Sequence, residues 1–144
     1  MDDYKTSAIQ NTLRIVLGLL MILAGIGHLT FLRAPFQAQV PDWVPLDKDL
    51  VVVLSGIVEI TLGAAMVFLS SRKAMVGLVL AAFYVAVFPG NISQYITHTS
   101  AFGLDTDTKR FVRLFFQPVL IAWALWSTGA LHYLVGKLKN RQSS

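Results

Sequence analysis

The chain of 144 residues contains no cysteine, and charged residues make up only 14% of it. Without cysteine, disulfide exchange, thiolate metal sites and cysteine nucleophiles are excluded. Soluble domains carry about 25% charged residues, whereas 55% of this chain is hydrophobic. The shortage of charge indicates that lipid, rather than water, surrounds most of the folded chain.

Signals for nucleic acids, metals and common cofactors are also missing. The net charge of +4 is modest and divided among connections and termini, so no nucleic-acid partner is expected. His28, His98 and Glu59 lack the local spacing of metal ligands, so no metal is expected. A dinucleotide-binding glycine fingerprint and a mid-membrane pair of haem-ligating histidines on facing helices are absent. A self-contained oxidoreductase is therefore not expected.

Four apolar segments are long enough to cross a bilayer as helices, which takes about 20 residues each. They cover residues 11–32, 50–69, 74–96 and 111–135. Short connections, such as residues 70–73, make neighbouring helices antiparallel. The length of the chain suits one domain. The prediction is an all-α fold: a single transmembrane domain, 1–144, forming an integral membrane antiparallel four-helix bundle.

Four spans would place both termini of this multi-pass protein on one side. Basic residues predict which side, because Lys and Arg accumulate in cytoplasmic loops. Seven belong to the side of the termini: Lys5, Arg14, Arg72, Lys73, Lys137, Lys139 and Arg141. Five belong to the other: Arg33, Lys48, Lys109, Arg110 and Arg113. The count favours cytoplasmic termini.

Small residues predict where the helices touch, because helices in lipid associate by close approach of their backbones. They are Gly18 and Gly25 in the first segment, Gly56 and Gly63 in the second, and Gly77 and Ala81 in the third.

Glu59 lies in the middle of the apolar segment 50–69. An acid at the centre of a membrane helix costs roughly 2.5 to 3.5 kcal/mol on insertion scales, so it is expected to be paired, protonated or functional. We expect it to face inward, with Ser55 one turn away on the same face. His28 and Arg113 are the expected partners.

Polar residues recur at the same end, the predicted outer half, of the other three segments. They are His28 in the first, Asn91, Gln94 and His98 in the third, and Arg110, Arg113 and Gln117 in the fourth. Two interpretations fit this pattern. The residues form a ligand site, or they join the bundle by interhelical hydrogen bonds of about 0.6–2 kcal/mol each.

Two proline-containing segments lie near this polar group. Pro89 has no amide hydrogen and clashes with the carbonyl of residue 85, which predicts that the third helix is broken there. The segment 40–45 is too rich in proline for a helix, and we expect Pro41, Trp43 and Pro45 to form a lid over the polar residues.

Several short motifs occur in a fixed order along nearly the whole chain. They are Gly27-His28 with Phe31 and Pro35-Phe36, Val40-Pro41-x-Trp43-Val44-Pro45, Ser55-Gly56-x-x-Glu59-x-x-x-Gly63, Phe88-Pro89-Gly90-Asn91-Ile92, and Arg113-x-x-x-Gln117-Pro118 with Trp123. This series resembles the DoxX-like family of four-helix membrane proteins. The resemblance implies a role in membrane redox chemistry, including quinone-linked thiosulfate oxidation, usually as a partner subunit.

We therefore expect an accessory subunit with a polar pocket for a quinone or lipid head. Glu59 and His28 would hydrogen-bond or exchange a proton with that head, and Asn91, Arg113 and Gln117 would orient it. Any catalysis would be that of a quinone-linked oxidoreductase subunit. The alternative is a non-catalytic assembly protein that docks a membrane protein partner and whose polar cluster is structural. A transporter is disfavoured because the inner half is almost wholly apolar.

Overall fold

The computed structural model describes residues 5–100 and 104–144, so residues 1–4 and 101–103 of the predicted domain lie outside the described residues. Its elements are α1 (Ala8–Leu29), α2 (Arg33–Gln37), α3 (Lys48–Phe68), α4 (Lys73–Ile96), α5 (Asp107–Ser127) and α6 (Ala130–Gln142), with a 3-10 turn at Ser70–Arg72. The all-α prediction is confirmed.

Three helical segments are long and apolar enough to cross a membrane: Ala8–Leu29, Lys48–Phe68 and Ser70–Ile96. The predicted span 111–135 is not one helix, because α5 and α6 meet at 81° and have the required length and composition only together. Gly129 lies between them with φ 78°, a left-handed conformation that glycine adopts without strain and that commonly ends a helix.

Side-chain caps set the beginnings of three helices. Ser7 and Gln10 form a capping box at α1, with each side chain bonded to the other residue's amide. Asp47 accepts from the amide of Asp49 at α3, and Thr106 accepts from the amide of Lys109 at α5. These bonds satisfy amides that have no partner inside the helix.

Glycines bring α1 and α3 into close antiparallel contact. A Cβ atom added to Gly18 would lie 2.7 Å from the carbonyl oxygen of Gly63, and one added to Gly25 would lie 2.7 Å from that of Gly56. The chain order of these pairs makes the two helices antiparallel. The small-residue prediction is confirmed for this pair, since side chains larger than glycine would separate the backbones.

The second close pair is α4 and α5, which are also antiparallel. Gly77 packs against Thr128, and Tyr84, further along α4, lies beside Gln117. The predicted break at Pro89 is wrong, because α4 continues through it to Ile96. Nε2 of Gln117 donates to the carbonyl of Tyr84 at 2.6 Å, in the turn before the proline, and so joins α5 to α4 at this level.

The core extends from the end of the molecule that carries both termini, called here the terminal end, to the middle of the helices, where Leu17, Met21 and Tyr84 also line the cavity described below. Its cluster consists of Leu17, Met21, Met66, Val76, Leu80, Tyr84 and Ala124. Hydrogen bonds join α1 to α5 at this end: Trp123 Nε1 donates to the Leu13 carbonyl at 3.0 Å, and Gln10 donates to that of Trp126 at 2.8 Å. The opposite end, with residues 30–47, 97–100 and 104–106, is called the loop end.

Candidate functional site

A cavity of about 570 Å³ lies towards the loop end, between α1, α3, α4 and α5 and beneath residues 33–47. Most of its lining is apolar. The predicted site residues that line it are His28, Ser55, Glu59, Asn91, Arg113 and Gln117, together with the predicted lid residues Pro41 and Trp43. Pro45 is not among its lining residues. Four helices thus bring residues that are distant in sequence to one cavity.

Glu59 and His28 form the polar group on the α1–α3 side of the cavity. Nδ1 of His28 lies 2.9 Å from Oε2 of Glu59 and 2.9 Å from the carbonyl oxygen of Ala24. A carbonyl only accepts, so Nδ1 carries the hydrogen and donates it to Ala24. Oε2 of Glu59 is buried and, within the described residues, has no hydrogen bond of acceptable geometry. The pair is therefore in contact, but the carboxylate remains short of a donor.

Close helix packing positions this pair. A Cβ atom on Gly56 would lie only 2.8 Å from the Cβ of His28, so the glycine makes the space that the histidine occupies. Glu59 follows Gly56 by three residues, which puts both on nearly the same face of α3. On its other side, the His28 ring stacks on Phe36 of α2, with centroids 3.3 Å apart. Phe36 also lines the cavity.

Gln117 organises a second polar group, on the α4–α5 side. Its Oε1 accepts from Nδ2 of Asn91 at 3.3 Å and from a terminal guanidinium nitrogen of Arg113 at 3.4 Å. Its Nε2 is held by the Tyr84 carbonyl. Gln117 and Asn91 are buried, at 1% and 6% exposure. The amide of Gln117 is thereby fixed, and Arg113 beside it is only loosely held.

Residues 33–47, called here the lid segment, are attached to α3 and α4. Asp49 accepts from Nε of Arg33 at 2.6 Å and from Nε2 of Gln37 at 2.7 Å. Gln39 donates to Gln94 of α4 at 2.9 Å. A Cβ atom on Gly90 would lie 2.9 Å from the carbonyl of Gln39, so glycine permits this close approach.

Lys48, the first residue of α3, donates to Asp42 of the lid segment at 2.6 Å, and this bond together with the lysine charge holds the pKa of Asp42 below its usual range. Trp43 is 72% exposed although it lines the cavity.

The short helix α2 was not predicted. The sequence signal for this helix is that Arg33 and Gln37 are four residues apart, one helical turn, so both side chains can reach Asp49.

Three residues of the predicted polar group do not line the cavity: Gln94, which accepts from Gln39 of the lid segment, and His98 and Arg110. His98 contacts Asp107 at 2.7 Å on the exposed surface. Arg110 donates to Asp107, to the carbonyl of Thr99 and to the hydroxyl of Ser100, and so joins the end of α4 to α5. Tyr84, Phe36 and Gln39 line the cavity but were not predicted, since nothing in their sequence context distinguishes them from packing residues.

A family described as a domain of unknown function, DUF8561, matches residues 17–128 of the 144. These residues include α3, α4, α5 and all the side chains that line the cavity. No curated protein and no solved structure matches the chain.

Proposed function

We propose that this chain, which belongs to the DUF8561 family, is an accessory protein of the membrane that binds the polar head of a quinone or lipid in the cavity at the loop end. One observation carries the proposal: polar side chains from four helices converge on an otherwise apolar cavity of about 570 Å³. Binding sites for small molecules have this volume and this composition, with few polar groups among apolar walls.

The exposed side chains support integration in a membrane. Large apolar residues are about half exposed along the outward faces of the helices: Leu19, Leu54, Val79, Phe115 and Val119. Water would make these surfaces unfavourable, whereas lipid would not. We propose a four-helix membrane bundle in which α1, α3, α4 and α5 cross and both termini are cytoplasmic.

The helix α6 supports the same orientation. It turns away from α5 by 81°, and Leu131, Val135 and Leu138 form one exposed apolar face. Lys137, Lys139 and Arg141 lie on the same short helix. A helix with this pattern lies along the membrane surface, and its basic residues favour the cytoplasmic side.

The proposed chemistry is hydrogen bonding and proton exchange with the head. The Glu59 carboxyl would exchange a proton with the head when a quinone is reduced or a quinol is oxidised, and the His28 ring, whose Nδ1 hydrogen is donated to Ala24, would offer Nε2 as an acceptor. Asn91 and Gln117 would orient the head from the opposite wall. The redox context rests on the DoxX-like resemblance of the motifs, and a membrane protein partner would supply the electrons for reduction of a quinone or accept them on oxidation of a quinol.

Replacing Glu59 with glutamine tests the proposal. The protein is purified in a mild non-ionic detergent and its bound molecules are identified by native mass spectrometry. We expect the unmodified protein to retain a quinone or lipid, and the E59Q variant to remain folded but to lose it, because the neutral amide is a weaker acceptor for the head.

The matched control is D105N, which makes the same acid-to-amide change at an exposed residue paired with Lys109. D105N should retain the molecule. Loss of the folded protein in E59Q alone would favour the alternative function, an assembly protein whose Glu59 cluster is structural. Equal retention by E59Q and the unmodified protein would contradict the role of Glu59 in binding.

A further inference from the structure

Arg113 is a cation without a counterion in the cavity. Within the described residues it makes one hydrogen bond, the contact of 3.4 Å with Gln117, and no ion pair. A guanidinium group has five N–H donors, so most of its donors have no protein acceptor. Glu59 lines the same cavity but is beyond ion-pair distance from it.

Arg33 and Arg110 each have a counterion, since Arg33 binds Asp49 and Arg110 binds Asp107. Arg14 donates to the Met66 carbonyl at the end of α3, and its Nε has no partner among the described residues, but Arg14 does not line the cavity. Arg113 is half-buried and lines an apolar cavity, where an unpaired charge is costly. An anion at this position would supply the missing acceptors, and a carboxylate or phosphate can accept two of the donors together.

On the opposite wall of the cavity, formed by α1 and α3, a hydrogen-bond donor is missing. The Nδ1 hydrogen of His28 is used by Ala24, and Oε2 of Glu59 is left without a donor. A ligand group with an N–H or O–H would satisfy this carboxylate. The cavity therefore requires an anion at Arg113 and a hydrogen-bond donor at Glu59, and the two residues do not satisfy each other.

We infer that the ligand is a phospholipid whose head bridges the two walls, with its phosphate on Arg113 and the ammonium or hydroxyl of the head group on Glu59. This inference rests on the proposed function and narrows its ligand class. Asn91 and Gln117 flank the phosphate, and the apolar lining accommodates the beginning of the acyl chains. A quinone has neither an anion nor a cationic donor and fits these two groups less well.

Four short-chain probes test the inference, each titrated below its micelle concentration and followed by native mass spectrometry. They are dihexanoyl phosphatidylethanolamine, dihexanoyl phosphatidylcholine, dihexanoylglycerol and decylubiquinone. Phosphatidylcholine keeps the phosphate but lacks an N–H donor, and dihexanoylglycerol lacks the phosphate. We expect phosphatidylethanolamine to bind at least about tenfold more tightly than either, because each loses a charge-assisted hydrogen bond.

Two substitutions assign the two contacts. R113Q should weaken the binding of phosphatidylethanolamine at least about tenfold. K109Q, which removes a charge from an exposed residue of the same helix, should leave this binding unchanged. E59Q should reduce the preference for phosphatidylethanolamine over phosphatidylcholine. If R113Q does not fold, judged by circular dichroism, R113K replaces it and should keep the preference for phosphatidylethanolamine over dihexanoylglycerol.

The outcomes separate this inference from the proposed function. The inference that one lipid head bridges Arg113 and Glu59 would be contradicted if the unmodified protein bound phosphatidylethanolamine and phosphatidylcholine equally. It would also be contradicted if R113Q and K109Q had equal effects on binding. Tighter binding of decylubiquinone, lost in E59Q, would overturn it too and leave the proposed function standing. If none of the probes binds and no quinone or lipid is retained on purification, the proposed function itself fails.

Discussion

Individual buried charges in this protein fall into two kinds. Arg14 is 4% exposed and donates to the Met66 carbonyl, one of the last carbonyls of α3. Its positive charge is also favourable there, because the C-terminal end of a helix dipole is negative. That role is structural. Glu59 and Arg113 instead border the cavity, so a bound ligand has access to their unpaired groups, whereas the unpaired Nε of Arg14 does not line it.

The position of His28 depends on the absence of a side chain at residue 56. We expect G56A to reduce stability by about 1–3 kcal/mol, because its Cβ would lie 2.8 Å from the Cβ of His28 and 3.0 Å from the Gly25 carbonyl. The same displacement should weaken phosphatidylethanolamine binding. Thermal unfolding in detergent and the mass-spectrometric titration measure the two effects.

The matched control for this change is G27A. Its Cβ would contact only the flexible side chain of Leu32, at 3.0 Å, so the substitution should be tolerated. Equal losses of stability in G56A and G27A would contradict the proposed dependence of His28 on Gly56.

Sequence reasoning could locate these side chains but not their bonds. The charge of Glu59 in an apolar segment predicts an inward position, and His28 was one of its two expected partners. The carbonyl of Ala24 competes with Glu59 for the Nδ1 hydrogen of His28. The sequence does not predict this competition, because every helical residue has a carbonyl. Likewise, the separation of Arg113 from Glu59 depends on side-chain directions that periodicity does not determine.

At the scale of elements, long apolar helices were predictable and short or bent ones were not. The segments of α1, α3 and α4 have strong apolar runs, which override a single proline at Pro89. The bend at Gly129 was hidden inside the apolar run 111–135, although glycine is the usual residue for ending a helix. The five residues of α2 depend on a tertiary partner, Asp49, that local sequence does not reveal.

This dependence predicts the behaviour of the lid segment. In D49N, Arg33 loses its ion pair, so we expect phosphatidylethanolamine to dissociate several-fold faster. Stability should change little, because the pair is partly exposed and such pairs contribute little. Dilution followed by time-resolved native mass spectrometry measures the rate. An unchanged rate, the same as in the D105N control, would show that the lid segment does not limit exchange.

The whole molecule consists of two close helix pairs, α1 with α3 and α4 with α5. The α1–α5 hydrogen bonds and the short connection at residues 69–72 hold the pairs together at the terminal end. The cavity lies between the pairs at the other end. In the membrane orientation that we propose, with cytoplasmic termini, the cavity would therefore lie in the outer leaflet.

The absence of cysteine makes this orientation testable with single cysteines. We expect a membrane-impermeant maleimide to label D105C in intact cells, and to label T6C and S143C only in permeabilised cells. If D105C and S143C are labelled from the same side, α5 does not cross and three helices span the membrane. If the pattern is reversed, the cavity faces the cytoplasmic leaflet, and its phospholipid would come from there.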